Sequence, residues 1–401
     1  MSSSKDTQYI RVGTTYYKYV DIPLISGDKI RRLVPWSRQT ILHDHPSKIL
    51  SKIKKFDGFC NIPNHLEYKE EHNNFLNLYK RVPYLPKEGM FETTVYFLKH
   101  IFGEQYEIGL DYLTILYRYP TQMLPILCLV SKERKTGKTK FIDFMKLIFS
   151  ENMTYNTNED FRSQFNSDWA GKLLICVDEV LLDRREDSER IKNLATASSF
   201  KSEAKGKDRV ESEFFGKFIL CSNHEDNFIQ IDSGETRYWI RKIPRFEKED
   251  INLLQRLKEE IPAFLFHLLN RKILSKRKTR MWFEESILRT EALKKVIYRN
   301  RTHLQVEVLM ILNGIVEDFE LEEIQVCLTD LLPFLKQSSI KASRFEIKQI
   351  FEGEWNLSSR ENSYTYTRYE LVGGAIVARS QQKGRYYTIS KELLNEKMKE
   401  R

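Results

Sequence analysis

The chain has 401 residues, of which 41% are hydrophobic and 30% are charged, with a formal net charge of +9 and an isoelectric point near 9.0. These values predict a multidomain globular protein with an anionic partner. No apolar run approaches the ~20 residues that cross a bilayer, and the first residues lack the apolar segment of a signal peptide. The five scattered cysteines give neither zinc-ligand spacing nor a disulfide framework. We therefore expect a cytoplasmic protein with no membrane partner.

The first 118 residues divide into two predicted units. Tyrosine-rich alternation predicts a small β-rich unit over residues 1–55, whose role the pattern does not indicate. The pattern of residues 56–118 is mainly helical, as in Thr93–Phe102, and predicts an amino-terminal helical or collar region. That region would pack against the domain that follows it.

The segment Ser131–Thr139 has the sequence of a phosphate-binding loop. It follows the apolar run Leu124–Val130 and opens the amphipathic segment Lys138–Phe149, which gives a strand, a turn ending in Gly-Lys-Thr, and a helix. Backbone N–H groups and the dipole at the start of a helix favour anionic oxygens. Lys138 would reach the β- and γ-phosphates, and the hydroxyl of Thr139 would hold Mg²⁺. The predicted ATP-binding residues are Lys135, Thr136, Gly137, Lys138 and Thr139.

This loop departs from the usual pattern G-x-x-x-x-G-K-[ST] at one position. Lys132 stands where the first glycine would fall, and that glycine normally relieves strain where the strand turns into the loop. The alternative interpretation of the segment is an ordinary helix amino terminus in a lysine-rich chain.

A second apolar strand, Lys172–Val177, ends in the acidic pair Asp178 and Glu179, about 40 residues after Lys138. Asp178 would support Mg²⁺, and Glu179 would orient and polarise an attacking water as general base. The alternative is a strand followed by a solvated turn. The spacing between the two motifs makes the pair far more specific than either motif by itself.

Two further polar residues are associated with strands later in the chain. Asn223 ends the strand that starts at Lys217 and would contact the γ-phosphate or the water, unless it only starts a loop. Arg237 begins another short strand and would reach the γ-phosphate of a neighbouring subunit, an effect worth roughly 10³–10⁵ in rate. A surface ion pair with a nearby carboxylate is the alternative for Arg237, and Arg241 is the competing candidate.

The order of these motifs, from Gly137-Lys138-Thr139 through Asp178-Glu179 and Asn223 to Arg237, resembles that of the superfamily 3 helicases. The likeness is greatest to the helicase part of phage and plasmid primase-helicases related to the poxvirus enzyme, and it covers roughly residues 55–250. It implies an α/β AAA+ P-loop NTPase core over residues 119–246, with a central, mostly parallel sheet and flanking helices. It also implies ATP and Mg²⁺ as cofactors.

The resemblance further implies a hairpin that contacts DNA between the acidic pair and the Asn223 strand. In this interval Gly206 suits a turn tip, and the alternation from Val210 to Phe214 suits a returning strand. The predicted DNA-binding residues are Lys201, Lys205, Lys207 and Arg209. A solvated surface loop is the alternative interpretation, and Lys201 could serve the ATP site instead.

The remaining residues predict a helical lid or linker over 247–315 and a winged-helix-like domain over 316–401. In the first region Pro262 would open a second helix. The run Arg271–Trp282 is the densest basic stretch of the chain and is read equally well as a nucleic-acid contact or as a solvated helix end. In the last region the pattern predicts helices over Leu328–Lys336 and Arg344–Phe351, strands over Gly374–Arg379 and Arg385–Ile389, and a wing at Gln381–Gly384.

These inferences together predict an ATP-driven helicase that unwinds DNA during replication of a phage, plasmid or integrated element. An arginine supplied in trans requires a neighbouring subunit, and a heterologous contact that closes on itself gives a ring, for which a hexamer is expected. Because residues before 118 lack an Asp-x-Asp or similar pair, any primase would be a separate polypeptide. The alternatives are a replication initiator or loader that binds ATP and DNA as a switch without unwinding, and an AAA+ ATPase that acts on protein.

Overall fold

The computed structural model describes residues 8–23, 29–162, 171–182, 184–202, 210–231 and 235–399, together with Ile25 and Trp169. Residues 8–77 form two small sheets, and the core of the first contains Ile10, Val12 and Phe56. The first sheet has the order β3-β2-β1-β4 and the second the order β5-β7-β6. The elements are β1 (Tyr9–Val12), β2 (Thr15–Pro23), β3 (Lys29–Trp36), α1 (Arg38–Asp44), α2 (Ile49–Lys52), β4 (Lys54–Phe56), β5 (Gly58–Cys60), β6 (Glu71–His72) and β7 (Phe75–Asn77).

Within residues 56–118, helical structure starts later than the sequence pattern indicated. Residues 58–77 contain strands, and the next helices are α3 (Glu92–Phe102) and α4 (Tyr106–Arg118). The buried Asn77 explains part of this difference, because its side chain bonds the backbone of Ile62, Lys69 and Tyr79 and so orders an irregular segment. Hydrogen bonds from one side-chain amide to several backbone groups leave no periodic signal in the sequence.

A five-stranded sheet with the order β14-β8-β13-β10-β9 forms the centre of the molecule, and all its neighbouring strands pair in parallel. Every residue of β8 is buried, as expected for a strand covered on both faces. Parallel pairing places the carboxyl ends of β8, β13 and β10 at one edge of the sheet. The elements of this region are β8 (Ile126–Val130), α5 (Lys138–Phe149), β9 (Met153–Asn156), α6 (Asn158–Arg162), β10 (Leu174–Val177), α7 (Arg185–Ala195), β11 (Ser199–Ser202), β12 (Val210–Glu213), β13 (Lys217–Ser222) and β14 (Tyr238–Lys242).

Alternate residues of the sheet enter two separate hydrophobic cores. Leu127 and Leu129 pack with α3, α4 and α5, whereas Ile126, Cys128 and Val130 pack with side chains of α6 and α7. The strands thus have apolar side chains on both faces, which produces the continuous apolar runs seen in the sequence. The mixed α/β architecture with a central parallel sheet and flanking helices is confirmed.

The helices after the sheet are α8 (Leu253–Asn270), α9 (Glu285–Leu288) and α10 (Glu291–Asp318). The prediction that Pro262 opens a helix is wrong, because Pro262 lies within α8. Proline removes one backbone donor from a helix. Here the burial of Leu257, Ile261 and Phe264 holds α8 against the core, and such packing outweighs the local preference.

The carboxyl-terminal residues form a small unit in which β15 pairs with β18 and β16 pairs with β17. The predicted wing, Gln381–Gly384, lies inside β17, and the turn of the ribbon falls at Gly373–Gly374, with φ of +60° and +89°. Strand β17 is largely solvent-exposed, so a polar run there does not mark a turn. The elements are β15 (Glu323–Val326), α11 (Leu331–Gln337), α12 (Arg344–Lys348), β16 (Tyr364–Val372), β17 (Ala375–Gly384), β18 (Tyr387–Ser390) and α13 (Lys391–Lys399), with one π-helical turn at Gln349–Glu354.

Within the described residues, no helix is long and apolar enough to cross a membrane.

The imidazole of His65 makes stability depend on pH. Its Nδ1 lies 2.6 Å from the carbonyl oxygen of Tyr117 and its Nε2 lies 2.6 Å from the hydroxyl of Tyr79. Burial lowers the pKa of His65 from 6.5 to about 4. Between these values the unfolded chain binds more protons than the folded chain, so the free energy of unfolding falls as the pH drops from 6.5 to 4.

We expect His65→Gln to lose stability at neutral pH but to show a smaller further loss between pH 6.5 and 4 than the unaltered chain. Urea unfolding midpoints measured across this range test the difference in slope. Parallel pH profiles for the two proteins would contradict the assignment.

Candidate functional site

The loop of residues 131–137 leaves the carboxyl end of β8 and leads into α5. Gly137 caps α5 with φ of +91°, a conformation that other residues rarely adopt. A Cβ atom at Gly137 would also lie 2.7 Å from the ring of Phe246. Both the backbone and the packing therefore require glycine at this position.

The amino group of Lys138 lies inside the loop. Only 6% of this residue is exposed, and Nζ donates hydrogen bonds to the carbonyl oxygen of Ser131 at 3.2 Å and to Oγ1 of Thr136 at 3.3 Å. Burial lowers the pKa of Lys138, and nearby acidic groups, including Asp178 and Glu225, partly oppose this shift. The loop thus holds a cationic donor among its own acceptors, and an incoming anion would replace them.

Thr139 connects the loop to the acidic pair. Its hydroxyl donates a 2.8 Å hydrogen bond to Oδ2 of Asp178, which follows the last residue of β10. A hydroxyl and a carboxylate are oxygen ligands of the kind that Mg²⁺ prefers. The predicted pair of Thr139 and Asp178 is therefore brought together at one edge of the sheet.

Glu179 and Asn223 form a second polar pair beside the first. The amide nitrogen of Asn223 donates to Oε1 of Glu179 at 3.2 Å, and both residues are exposed. Glu179 adopts φ of +58°, an uncommon conformation for a residue with a side chain. The strand ends below this pair are joined, because Val180 N–H bonds the carbonyl of Cys221 and the hydroxyl of Ser222 bonds the carbonyl of Val180.

The missing first glycine has a structural explanation. Lys132 does not adopt a positive φ, whereas Lys135 and Gly137 do, with φ of +60° and +91°. The N–H of Lys132 donates a 3.1 Å hydrogen bond to Oε1 of Glu225, whose other oxygen lies 3.0 Å from Nζ of Lys242. Burial alone would raise the pKa of Glu225, but these donors outweigh it and lower the pKa below its usual value.

Several residues that shape the loop have no motif in the sequence, among them Glu225, Phe246 and His100. His100 stacks on Phe246, with 3.7 Å between ring centroids, and its Nε2 lies 3.0 Å from the carbonyl oxygen of Thr136. These partners are separated from the loop by tens of residues, so no local spacing points to them. The one local signal is the position of Glu225 three residues after the end of β13, the strand that pairs with β8.

A cavity of about 540 Å³ adjoins Gly137. Its lining combines the aromatic rings of Tyr96 and Phe246 with the cationic side chains of Lys140, Arg245 and Arg256. Lys135, predicted as a phosphate ligand, forms an ion pair with Glu249 at the same cavity. The lining also includes Glu247, Glu249 and Asp250, so the loop opens into a space of mixed charge with aromatic surface.

Neither arginine proposed as a finger contacts the loop of its own chain. Arg237 precedes β14 at the opposite, amino edge of the sheet, and its NH1 lies 3.2 Å from Glu235. Arg241 is buried, with NH1 2.6 Å from Glu104 and NH2 2.6 Å from the carbonyl oxygen of Phe102. Arg241 therefore has a structural role, and a contact of Arg237 with a neighbouring subunit stays a prediction.

The predicted DNA-binding hairpin is only partly visible. Strands β11 and β12 pair antiparallel, with Lys201 opposite Glu211. Lys205, Lys207 and Arg209 lie outside the described residues. Their contact with DNA stays a prediction.

Comparisons with known proteins identify one matching family and one curated relative. Residues 129–241 match a family described as a family of unknown function, DUF5906. Over 289 residues the chain is 25% identical to the DNA primase-polymerase of Nitratiruptor phage NrS-1, an alignment that covers 66% of this chain but 40% of that protein. The chain thus spans well under half the length of this relative.

Solved structures show the same fold. The apo structure of the NrS-1 C-terminal region superposes with a TM-score of 0.56 at 18% identity, covering 94% of this chain and 96% of the other. Its A form gives a TM-score of 0.55 at 18% identity, covering 92% and 94%.

The prediction of a superfamily 3 AAA+ helicase is wrong, because the relative is a primase-polymerase. The alternative, a non-unwinding ATP-dependent initiator, receives no support either. The motif order misled because one fold carries many functions, so a resemblance in motif order does not fix the activity. Nothing in the local chemistry of these residues specifies unwinding.

The role of Glu225 in holding the loop can be measured by amide hydrogen exchange. We expect Glu225→Ala to speed exchange at Lys132 by about tenfold, because a hydrogen bond to a charged acceptor is lost. Amides of β8 and β13 serve as internal controls and should keep their protection. Unchanged exchange at Lys132 would show that Glu225 does not hold the loop.

Proposed function

We propose that this chain is part of a DNA replication enzyme of the primase-polymerase kind, and that its loop site binds a nucleoside triphosphate with Mg²⁺. The observation that carries the proposal is the contact of Thr139 with Asp178 beside the buried amino group of Lys138. The similarity to a DNA primase-polymerase supports the proposal that the protein acts on DNA and uses nucleotides. ATP is the proposed probe of the site.

The triphosphate would lie across the start of α5. The N–H groups at the first turn of a helix and the positive end of its dipole attract phosphate oxygens. Lys138 would exchange its bonds to Ser131 and Thr136 for bonds to phosphate. These oxygens are neutral acceptors, so a charged phosphate forms the stronger hydrogen bond with an ammonium group.

The same site fits a magnesium ion by its chemistry. Thr139 and Asp178 offer a hydroxyl and a carboxylate within one hydrogen bond of each other. Among the described residues no three histidine, cysteine or acidic side chains cluster as metal ligands, so phosphate oxygens and water would supply the other ligands. When bound, Mg²⁺ neutralises charge on the phosphate oxygens.

Glu179 and Asn223 would lie beyond the metal ligands, near the end of the triphosphate. Both are exposed, and the amide of Asn223 already bonds the carboxylate of Glu179. An acceptor and a donor placed in this way hold a water molecule or recognise a terminal phosphate. We assign this pair to recognition of the γ-phosphate end.

DNA is the proposed macromolecular partner. The hairpin of β11 and β12 and its predicted cationic tip remain one proposed contact. The carboxyl-terminal unit, with the helices α11 and α12 followed by the ribbon of β16 and β17, supports a second proposal, a winged-helix-like domain. Such domains bind duplex DNA through a helix and a ribbon.

Substitutions at the metal ligands test the site. We expect Thr139→Val and Asp178→Asn each to weaken binding of fluorescently labelled ATP in Mg²⁺ by about tenfold or more, since each removes an oxygen ligand or its charge. Titration of fluorescence anisotropy measures the affinity. Addition of a chelator should lower the affinity of the unaltered chain for labelled ATP to nearly that of the variants.

The matched control is Thr154→Val in β9, which removes a threonine hydroxyl elsewhere in the same sheet. This variant should bind as the unaltered chain does. Full affinity in Thr139→Val, or no binding by the unaltered chain, would refute the proposed site.

A further inference from the structure

The loop between α8 and α9 has an unusual distribution of charge. Residues 271–283, here called the basic loop, contain six lysine or arginine residues and no aspartate or glutamate. The cations of this loop are Arg271, Lys272, Lys276, Arg277, Lys278 and Arg280. So many like charges repel one another, and the repulsion is relieved when an anion binds.

Hydrogen bonds hold the backbone of the basic loop against α4. The buried carboxylate of Asp111 accepts hydrogen bonds from the N–H groups of Leu274 and Ser275 and binds the guanidinium of Arg271. The indole N–H of Trp282 donates to the hydroxyl of Ser275 at 3.1 Å. Arg271 is therefore a structural residue, and the loop presents its other cations on an ordered frame.

Five of those cations, all except Arg271, face solvent. Lys272, Lys276, Arg277, Lys278 and Arg280 are exposed, and the structure shows no ion pair for any of them within its described residues. Other exposed cations of this chain do form such pairs, as Lys294 does with Glu291. Ordered cations without internal counter-charges remain available to an anionic partner.

A groove of about 630 Å³ runs beside these side chains. Its lining includes Arg277 and Arg280 together with the aromatic residues Tyr119 and Trp282, and it contains no carboxylate. Tyr119 is 44% exposed, although it is a large ring. The carboxamide of Gln122 bonds the carbonyl oxygen of Arg280 at 2.7 Å and so joins the two walls of the groove.

The groove and the triphosphate site lie at opposite edges of the central sheet. Met123 in the groove precedes the first residue of β8, whereas the phosphate loop follows its last residue. Substitutions in the groove therefore leave the loop, Lys138 and Asp178 untouched. The two sites can be tested separately.

We propose that this groove binds single-stranded DNA. Cations at its rim would contact phosphates, and the rings of Tyr119 and Trp282 would stack on bases, a combination that serves unpaired strands because their base faces are accessible. A duplex offers its phosphates but hides those faces. The groove proposal rests on the proposed function in one respect, namely that the partner is DNA.

The test uses the full chain with Arg277→Ala and Arg280→Ala combined. We expect its affinity for a fluorescent oligothymidine to fall by about tenfold, and the slope of log affinity against log salt to become shallower by about 1.4, since roughly 0.7 is lost per phosphate contact. Tyr119→Ala should weaken binding by about fivefold or more through loss of stacking. A duplex of equal length should bind the unaltered chain more weakly.

The matched control combines Arg289→Ala with Lys294→Ala, which removes the same charge from two exposed residues that form ion pairs outside the groove. It should bind the oligonucleotide as the unaltered chain does. Equal losses in both double variants, tighter binding of the duplex, or no binding by the unaltered chain would overturn the proposal. The same variants are also tested for binding of labelled ATP. Retained ATP binding shows that the triphosphate site is intact even if the groove does not bind DNA.

Discussion

The contact between Thr139 and Asp178 depends on one constraint, the parallel register of three adjacent strands. Strands β8 and β10 are not neighbours, because β13 lies between them. Hydrogen bonds from Ser131 N–H to the carbonyl of Ser222 and from Val180 N–H to that of Cys221 tie the strand ends together. A shift of β13 by one residue would break both bonds and reverse the faces of its side chains. The site is therefore a property of the sheet rather than of the loop alone.

Much of this edge could be predicted from the sequence. Apolar strands followed by Gly137-Lys138-Thr139, by Asp178 and by Asn223 carry local signals, and parallel strands collect their carboxyl ends at one edge. The pairing of Lys132 with Glu225 and the stacking of His100 on Phe246 are long-range contacts, which no local pattern encodes. The apparent defect at Lys132 is understandable only with these partners, because the loop takes its positive φ at Lys135 instead.

Elsewhere the sequence misled for physical reasons. Tertiary packing kept Pro262 inside α8, and an exposed ribbon carried polar residues through the predicted wing. The basic run divides into Arg271, which is buried against Asp111, and a group of exposed cations beside Tyr119. Spacing alone does not separate these roles. The relation to a primase-polymerase also shows that motif order does not by itself identify the process in which a site serves.

The most direct measurement is a crystal structure of this chain with Mn²⁺ and a non-hydrolysable nucleoside triphosphate, in which anomalous scattering locates the metal. We predict one peak in contact with the hydroxyl of Thr139 and, directly or through water, with Asp178, and we predict that the phosphates lie against Lys138. Metal and phosphates bound elsewhere, with the Thr139–Asp178 hydrogen bond intact, would contradict this prediction.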